Sequence, residues 1–483
     1  MRLARSLIAL ATIAVLLVPA FFQLAAAQET KTIVVGALLP LTGDLSDYGV
    51  RAKATLEVGV EDVNRYLEEK GAWFRIELRV EDTGTNPDMA VQKLNALIAQ
   101  GIKFVIGPMT SAELKKVKDI ATSQNVLLIS PSSTALELKI PGDNAYRFCP
   151  ADDVQSKAVV RLAKDLGAKG AVLIIRADTW GQGLKNEIVK LLEKEGIEYK
   201  TPLEYNPESP NFGAIAAQAN SQVEELVNKY GADKVVVILI AFKEAADLFK
   251  EAATYEALRK VVWIGSDGTA KLATISEDPV AREFGKEVLF INPIFSPAET
   301  KNQEAIAQKV EQKIGDKPDA YSYAAYDALW AIALSLLDAS PSASPDELVN
   351  HVKQKLEAGI TNTDEFGAHS ATGKFPLDDG GDRATADYDW WLVYDFGGKW
   401  DWYLVGKYLG NEDKNVWLTV DGKKYPDLVR AKFAGEATTT APPATSTATG
   451  TPTAAGLGTG AIAAIAVVVI IVIVAAAIAL RRR

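Results

Sequence analysis

The chain has 483 residues, with 52 Lys and Arg against 62 Asp and Glu and a formal net charge of −10 at neutral pH. This acidic balance argues against binding to nucleic acid and against lying flat on anionic lipid. The one cysteine, Cys149, excludes an intrachain disulfide and a cysteine-built metal site, and the two histidines, His351 and His369, are too few for a zinc triad and show no Ser-His hydrolase pattern.

The ends of the chain carry targeting patterns. Residues 1–27 contain two early arginines, an apolar stretch and a small-residue end, so they are predicted to be a secretory signal peptide. Residues 459–480 are uncharged and long enough to span a hydrocarbon core of roughly 30 Å, and the three arginines at 481–483 are expected on the cytoplasmic side. Residues 436–458, rich in Thr, Ala and Pro, are an expected stalk. We therefore expect a single-pass protein of the cell membrane with its main domain, 28–435, outside the cell.

Within that domain, short apolar runs alternate with helical periods. In the first half, strands are predicted at 32–40, 73–82, 103–107 and 126–130, and helices at 48–71, 86–101 and 111–124. In the second half, strands are predicted at 171–178, 198–205, 234–240 and 260–267, and helices at 152–166, 183–196, 211–230 and 242–255. This alternation predicts an α/β protein with two doubly wound, mostly parallel sheets of about four strands each. A long apolar helix at 318–339 and an antiparallel strand pair at 388–408 follow.

Hydroxyl residues stand at two neighbouring strand-to-helix junctions. Thr110 and Ser111 follow one predicted strand, and Ser132, Ser133 and Thr134 follow the next. In open α/β sheets, ligands bind beyond the carboxyl ends of the strands. Free N–H groups and capping hydroxyls at a helix N-terminus suit a small anion such as a carboxylate. The alternative, which stays open at this point, is that these residues only cap their helices.

The second half offers groups of a different kind. Asp267 ends the strand in WIGSDGTA (263–270) and is suited either to hold an ammonium group or to cap the next helix. Trp180 lies beside two glycines in ADTWGQG (177–183), where it either covers an aliphatic ligand or packs on the sheet. A comparable loop after the first strand carries Gly43, Asp44 and Tyr48.

Several of these motifs occur together in one known family. The motifs are GALLPLTGDLSDYG (36–49), DTGTNPDMAVQKLNALI (82–98), FVIGPMTSAE (104–113), LLISPSSTALEL (127–138), RADTWGQGL (176–184) and WIGSDGTA. In this order, and over about residues 31–400, they resemble the extracytoplasmic branched-chain (leucine-type) amino-acid-binding proteins of ABC importers. The resemblance implies the two-lobed fold of type I periplasmic binding proteins, in which three hinge crossovers join the lobes. Lobe 1 would comprise about 30–148 and 294–370, and lobe 2 about 149–293 and 371–410.

The resemblance also implies a site. Ser111, Ser132, Ser133 and Thr134, with nearby backbone, would bind the α-carboxylate of an amino acid, and Asp267 would bind its α-ammonium group. Tyr48, Trp180 and Tyr321 would wall the pocket. The chain departs from the leucine-binding pattern at Ala241 and Phe242, where a Gly-Tyr pair is usual, and at Asp267, where the family has Glu.

These observations favour a membrane-anchored extracellular solute-binding protein. It would capture an amino acid, branched-chain or related, by lobe closure and deliver it to ABC permease subunits with cytoplasmic ATPases. A receptor ectodomain of the same fold that senses amino acids or amides is the alternative. An enzyme using Asp267 or the Asp378-Asp379 pair is disfavoured because no pattern of paired catalytic carboxylates supports it. No cofactor or metal is expected.

Overall fold

A computed structural model of the protein describes residues 30–437, with side chains described up to residue 434. The predicted signal peptide (1–27), membrane span (459–480), arginine tail (481–483) and nearly all of the predicted stalk (436–458) lie outside the described residues. Within 30–437, every helix is too short or too polar to cross a bilayer.

Fourteen strands form two sheets within the described part of the chain. The strands are β1 (Lys31–Leu39), β2 (Phe74–Asp82), β3 (Phe104–Ile106), β4 (Leu127–Ser130), β5 (Ala145–Arg147), β6 (Gly170–Arg176), β7 (Glu198–Tyr199), β8 (Leu203–Tyr205), β9 (Val235–Ile240), β10 (Val262–Ile264), β11 (Ile291–Ser296), β12 (Asp387–Phe396), β13 (Lys399–Leu409) and β14 (Lys414–Trp417). The first sheet has the order β2-β1-β3-β4-β5 and is parallel throughout. The second has the order β14-β13-β12-β11-β10-β9-β6-β7, with β8 also paired to β6.

The second sheet is mixed. Strands β6 to β11 pair in parallel, whereas β11 to β14 pair antiparallel. The predicted antiparallel pair near 388–408 is confirmed as β12 and β13, and its turn has positive φ at Gly397 and Gly398, as a two-residue hairpin turn requires. The prediction of about four strands per sheet is wrong, since the sheets have five and nine strands. Two of the additional strands lack a clear sequence signal. Strand β5 is too short to show an alternating pattern, and β11 contains Pro293, a residue that normally argues against a strand.

Fifteen α-helices within residues 30–437 cover the sheets. They are α1 (Ser46–Glu69), α2 (Pro87–Ala99), α3 (Ser111–Ser123), α4 (Asp152–Asp165), α5 (Thr179–Glu195), α6 (Phe212–Tyr230), α7 (Ala245–Ala252), α8 (Glu256–Lys260), α9 (Ala273–Ser276), α10 (Pro279–Glu287), α11 (Lys301–Ile314), α12 (Ala320–Leu336), α13 (Pro345–Glu357), α14 (Asp364–His369) and α15 (Tyr425–Ala437). Helix α12, the predicted apolar helix, is buried along almost its whole length and packs on α1. A helix buried on all sides lies inside a core, here that of the first lobe.

The chain passes between the two lobes three times. The first lobe holds β1–β5, α1–α3 and α11–α14, and the second holds α4–α10 and β6–β14. The crossings are therefore residues 148–151, 297–300 and 370–386. The second lobe holds more of the chain than predicted. Strand β11 continues to Ser296, past the predicted boundary at 294, and β14 lies beyond the predicted end at residue 410.

A buried ion pair joins the first and third crossings. Arg147, at the end of β5, and Asp382 are each 1% exposed, and Arg147 Nε lies 2.6 Å from Asp382 Oδ1. The Arg147 guanidinium also donates to the carbonyl oxygens of Ser133 (3.0 Å) and Ala135 (2.8 Å). One side chain therefore ties both crossings to the loop that follows β4.

Candidate functional site

A small cavity lies between the lobes at the carboxyl ends of their strands. The first lobe lines it with Leu45, Tyr48, Met109, Thr110, Ser111, Ser132 and Tyr321, and the second lobe with Trp180, Phe242, Asp267 and Gly268. The cavity has a volume of about 20 Å³, which is room for one water molecule. Six of the eight predicted site residues therefore meet in one place, and Ser133 and Thr134 do not line it.

The N-terminus of α3 brings hydrogen-bond donors to the cavity. Thr110 caps the helix, because its hydroxyl oxygen accepts the Glu113 N–H at 3.2 Å while the Glu113 carboxylate accepts the Thr110 N–H at 3.1 Å. The Ser111 hydroxyl oxygen accepts the Ala135 N–H at 3.1 Å, which leaves the hydroxyl hydrogen of Ser111 to donate. The first N–H groups of a helix have no partner within it, so this junction presents neutral donors to the cavity.

The loop after β4 differs from the prediction. No α-helix begins directly after Thr134, since only a single 3₁₀ turn forms at Leu136–Leu138, so the predicted second helix mouth is wrong. The Ser133 N–H is instead accepted by the Ser130 hydroxyl at 3.1 Å, and such local side-chain bonds compete with helix formation. The Ser132 hydroxyl donates to the Met109 carbonyl at 2.7 Å, which ties the loop to the start of α3.

Asp267 is the one charged residue among those that line the cavity. It begins a 3₁₀ turn after β10; its Oδ1 accepts the Gly268 N–H at 3.0 Å, and Tyr321 of the first lobe donates its hydroxyl to Oδ2. Burial, which disfavours the charged form, raises the pKa of Asp267 to about 6. A carboxylate at this place is suited to bind a cationic nitrogen.

Polar contacts hold the cleft closed. The Tyr48 hydroxyl of the first lobe lies 2.8 Å from the carbonyl oxygen of Asp267 and 2.5 Å from that of Ala270. Arg176, at the end of β6, reaches across to Asp44 at 2.9 Å, and Lys243 of the second lobe donates to Ser46 at 3.3 Å. The lobes are therefore in their closed arrangement.

Two stacked rings form the wall on the second lobe. The centroids of Trp180 and Phe242 are 4.8 Å apart with an interplanar angle of 12°, and the Arg176 guanidinium covers Phe242 at 4.5 Å. Sequence reasoning named Thr110 as a junction residue but left Leu45, Met109, Phe242 and Gly268 out of the site. Phe242 and Gly268 lie in motifs that had drawn notice for other reasons, whereas Leu45 and Met109 carry no sequence signal because apolar residues are common in any core.

Gly268 allows the Asp267 turn to approach the wall. A Cβ atom there would lie 2.6 Å from the Ala241 carbonyl oxygen and 2.7 Å from ring carbons of both Phe242 and Trp180. We expect Gly268→Ala to lower the free energy of unfolding by about 1–3 kcal/mol, the usual cost of overpacking. Denaturant unfolding measures this.

Gly183→Ala is the matched control. A Cβ atom at Gly183, in α5, would meet only Ala135, at 3.7 Å or more, which is ordinary contact. An equal loss of stability in both variants would contradict the steric role given to Gly268.

Comparison with known proteins agrees with this architecture. A family model described as periplasmic binding protein matches residues 32–386. An uncharacterised protein of Methanocaldococcus jannaschii is 33% identical over 407 residues, which cover 81% of this chain and 93% of the relative. A leucine-, isoleucine-, valine-, threonine- and alanine-binding protein of Pseudomonas aeruginosa is 24% identical over 75% of this chain and 91% of its own length.

Solved structures show the same fold. The crystal structure of a branched-chain amino acid transporter substrate-binding protein from Streptococcus pneumoniae, in complex with isoleucine, superimposes with a TM-score of 0.60 at 19% identity. The match covers 78% of this chain and 99% of that one. The chain thus belongs to the periplasmic binding protein family, and it has the two-lobed type I fold that its sequence motifs predicted.

Proposed function

We propose that this protein is an extracellular, membrane-anchored solute-binding protein that captures an amino acid, branched-chain or related, and delivers it to an ABC permease. The observation that carries this proposal is the pairing across the cleft of Ser111, a neutral donor on the first lobe, with Asp267, an acid on the second. A zwitterion satisfies both groups at once, so its binding favours closure.

The ligand's orientation follows from the two ends of the cavity. The α-carboxylate lies at the N-terminus of α3, where the Ser111 hydroxyl and the first N–H groups of the helix donate to it. The α-ammonium group donates to Asp267. The lining residues include no basic side chain, so the carboxylate depends on neutral donors and the ammonium contact is the stronger of the two.

The ligand's side chain has apolar neighbours. Leu45, Met109, Trp180 and Phe242 line the rest of the cavity together with the rings of Tyr48 and Tyr321. The names of the relatives support an apolar ligand, since one is named for binding leucine, isoleucine, valine, threonine and alanine and another was solved with isoleucine. In the closed cleft, about 20 Å³ is too small for such a side chain, so entry requires the lobes to part or the rings to move.

Ser133 and Thr134 have a supporting role in this proposal. Ser133 lies on the buried side of its loop, where its hydroxyl faces the Pro108 carbonyl at 3.4 Å, and Thr134 is 1% exposed. They fix the loop that carries Ser132 rather than contacting the ligand.

The location outside the cell rests on the sequence patterns at the two ends of the chain. The signal-like residues 1–27 and the apolar residues 459–480 with the arginines that follow support a single-pass anchor with the lobes outside. A permease with cytoplasmic ATPases is then the partner that receives the amino acid.

Calorimetric titration of the full-length chain with the twenty amino acids tests the ligand class. We expect the strongest binding among apolar, branched-chain amino acids. For N-acetyl-L-isoleucine, which lacks the ammonium group, we expect affinity roughly 10- to 150-fold below that of L-isoleucine, the equivalent of one lost charge-assisted hydrogen bond. Absence of binding by all twenty amino acids, or equal affinity for the acetylated compound, would overturn the proposal.

A further inference from the structure

A second buried acid lies behind Asp267. Asp152, the first residue of α4, is 0% exposed, and its Oδ1 accepts a hydrogen bond from the Gln155 side-chain amide at 3.2 Å. The oxygen of the same Gln155 amide accepts the Asp267 backbone N–H at 3.0 Å. A single amide therefore joins the two acidic residues beneath the cavity.

The Asp152 carboxylate has an unusual environment. Its Oδ2 is buried without an aligned hydrogen-bond donor among the residues the structure describes. Neither Asp152 nor Asp267 forms an ion pair within that part of the chain, where the nearby Arg147 is paired with Asp382. A buried charge without a partner is costly, so the site favours either a proton or an incoming cation.

Among the described groups around the pair, only Arg147 is cationic, and its guanidinium is already paired with Asp382. The titratable or charged groups that face the pair are Tyr48, Arg147, Cys149, Asp153, Tyr321 and Tyr388. Burial raises the pKa values of the three tyrosines and of the thiol, so these four stay neutral. Burial and the neighbouring Asp267 likewise raise the pKa of Asp152 well above its ordinary value, although the Thr134 hydroxyl and the Arg147 guanidinium oppose the rise.

We propose that Asp152 and Asp267 share one proton in the ligand-free protein and that the ammonium group of a bound amino acid displaces this proton into solvent. This inference rests on the proposed function. One carboxylic acid and one carboxylate give the ligand-free site a charge of −1; two carboxylates and one ammonium group give the same charge after binding. Charge in the buried site is thereby conserved, and Asp152 acts as a positioning residue for the ammonium contact.

The shared proton selects for cationic nitrogen. An ammonium group replaces the charge of the proton it displaces, whereas a neutral hydroxyl in the same place leaves the proton on the pair. Two carboxylates close together titrate as a pair, with one of them protonated well above the ordinary range. We therefore expect amino-acid binding to release protons near neutral pH and to tighten as the pH rises through that region.

Calorimetry of the full-length chain with L-isoleucine at about pH 7.5, where Asp267 alone would be ionised, in two buffers of different ionisation enthalpy, measures the protons released. We expect roughly 0.5–1 proton per bound isoleucine for the wild type and less than about 0.2 for Asp152→Asn, which keeps an oxygen for Gln155 but removes the second acid. The control is Asp153→Asn, whose exposed carboxylate pairs with Lys157 on the same helix turn; it is expected to release as many protons as the wild type. Equal release from wild type and Asp152→Asn, or binding without release, would overturn the shared proton.

A ligand-free measurement separates this inference from the proposed function. A raised carboxyl pKa means that the folded state holds more protons than the unfolded state, so stability is lost as pH rises from the unfolded value near 4 through about 6. Wild-type stability is therefore expected to fall more steeply between about pH 5 and pH 8 than that of Asp152→Asn. If wild type and Asp152→Asn lose stability with pH in parallel, the shared proton is overturned even if isoleucine binds. If their pH profiles differ but isoleucine does not bind, only the ligand assignment is overturned.

Discussion

Replacing Asp267 with asparagine is expected to weaken L-isoleucine binding by at least tenfold and by as much as roughly 150-fold. Among the described residues that line the cavity, this carboxylate is the only charge, and a hydrogen bond to a charged group contributes about 1.5–3 kcal/mol. The asparagine oxygen can still accept the Gly268 N–H, which Asp267 Oδ1 accepts at 3.0 Å, so the turn is expected to keep its shape. Calorimetric titration measures the affinity of each variant.

The loss is expected for ligands that carry an ammonium group. For 2-hydroxy-3-methylpentanoate, in which a hydroxyl replaces the ammonium group, Asp267→Asn is expected to change the affinity by less than about threefold, because the lost charge had no partner on that ligand. Asp233→Asn, at an exposed acid of the second lobe that pairs with Lys234, is the matched control and should bind isoleucine as the wild type does. An unchanged isoleucine affinity in Asp267→Asn would remove the ammonium role of this residue.

The same substitution is not expected to destabilise the fold at neutral pH. Burial raises the pKa of Asp267 to about 6, so ionisation above that pH costs the folded state free energy that a neutral amide avoids. Loss of binding with stability kept or increased would show that the acid serves the ligand. A stabilised protein that no longer binds is the usual outcome when a group retained for function is removed.

The features that could be predicted from the sequence are those with a local signal. Local sequence patterns identify several elements, because each of these elements buries one face or its whole length. The strands are β1, β6 and β9, with apolar runs, and the helices are α1 and α12, with long stretches of helical pattern. Asp267 and Ser111 could be found because they follow strands directly, and strand ends converge on one edge of a parallel sheet.

The features that were missed depend on contacts between distant segments. Ser133 and Thr134 have the composition of a helix start, yet the Ser130 hydroxyl and the carbonyl bonds from Arg147 fix their loop in another form. Asp152 reads as an ordinary acid in the first turn of a helix. Its burial beside Asp267 becomes visible only when the second lobe folds against the first crossing.

The largest effect on stability is expected from Asp382→Ala. The substitution leaves the buried Arg147 guanidinium, 1% exposed, without an ion-pair partner among the described residues, although the carbonyl oxygens of Ser133 and Ala135 still accept hydrogen bonds from it. Removing one partner of a buried ion pair costs about 3–5 kcal/mol. Denaturant unfolding of the full-length chain is expected to show a loss of that size.

Two further variants test whether the loss of stability comes from leaving a charge unpaired in a buried place. Glu287→Ala removes the partner of Arg259 from a pair whose side chains are roughly half exposed, and it is expected to cost less than about 1 kcal/mol. The double variant Arg147→Met, Asp382→Leu removes both buried charges and is expected to regain most of the stability lost in Asp382→Ala, because apolar residues of similar size replace such pairs well. A double variant as unstable as Asp382→Ala would mean that the guanidinium's bonds to the loop after β4, rather than the ion pair, hold the crossings together.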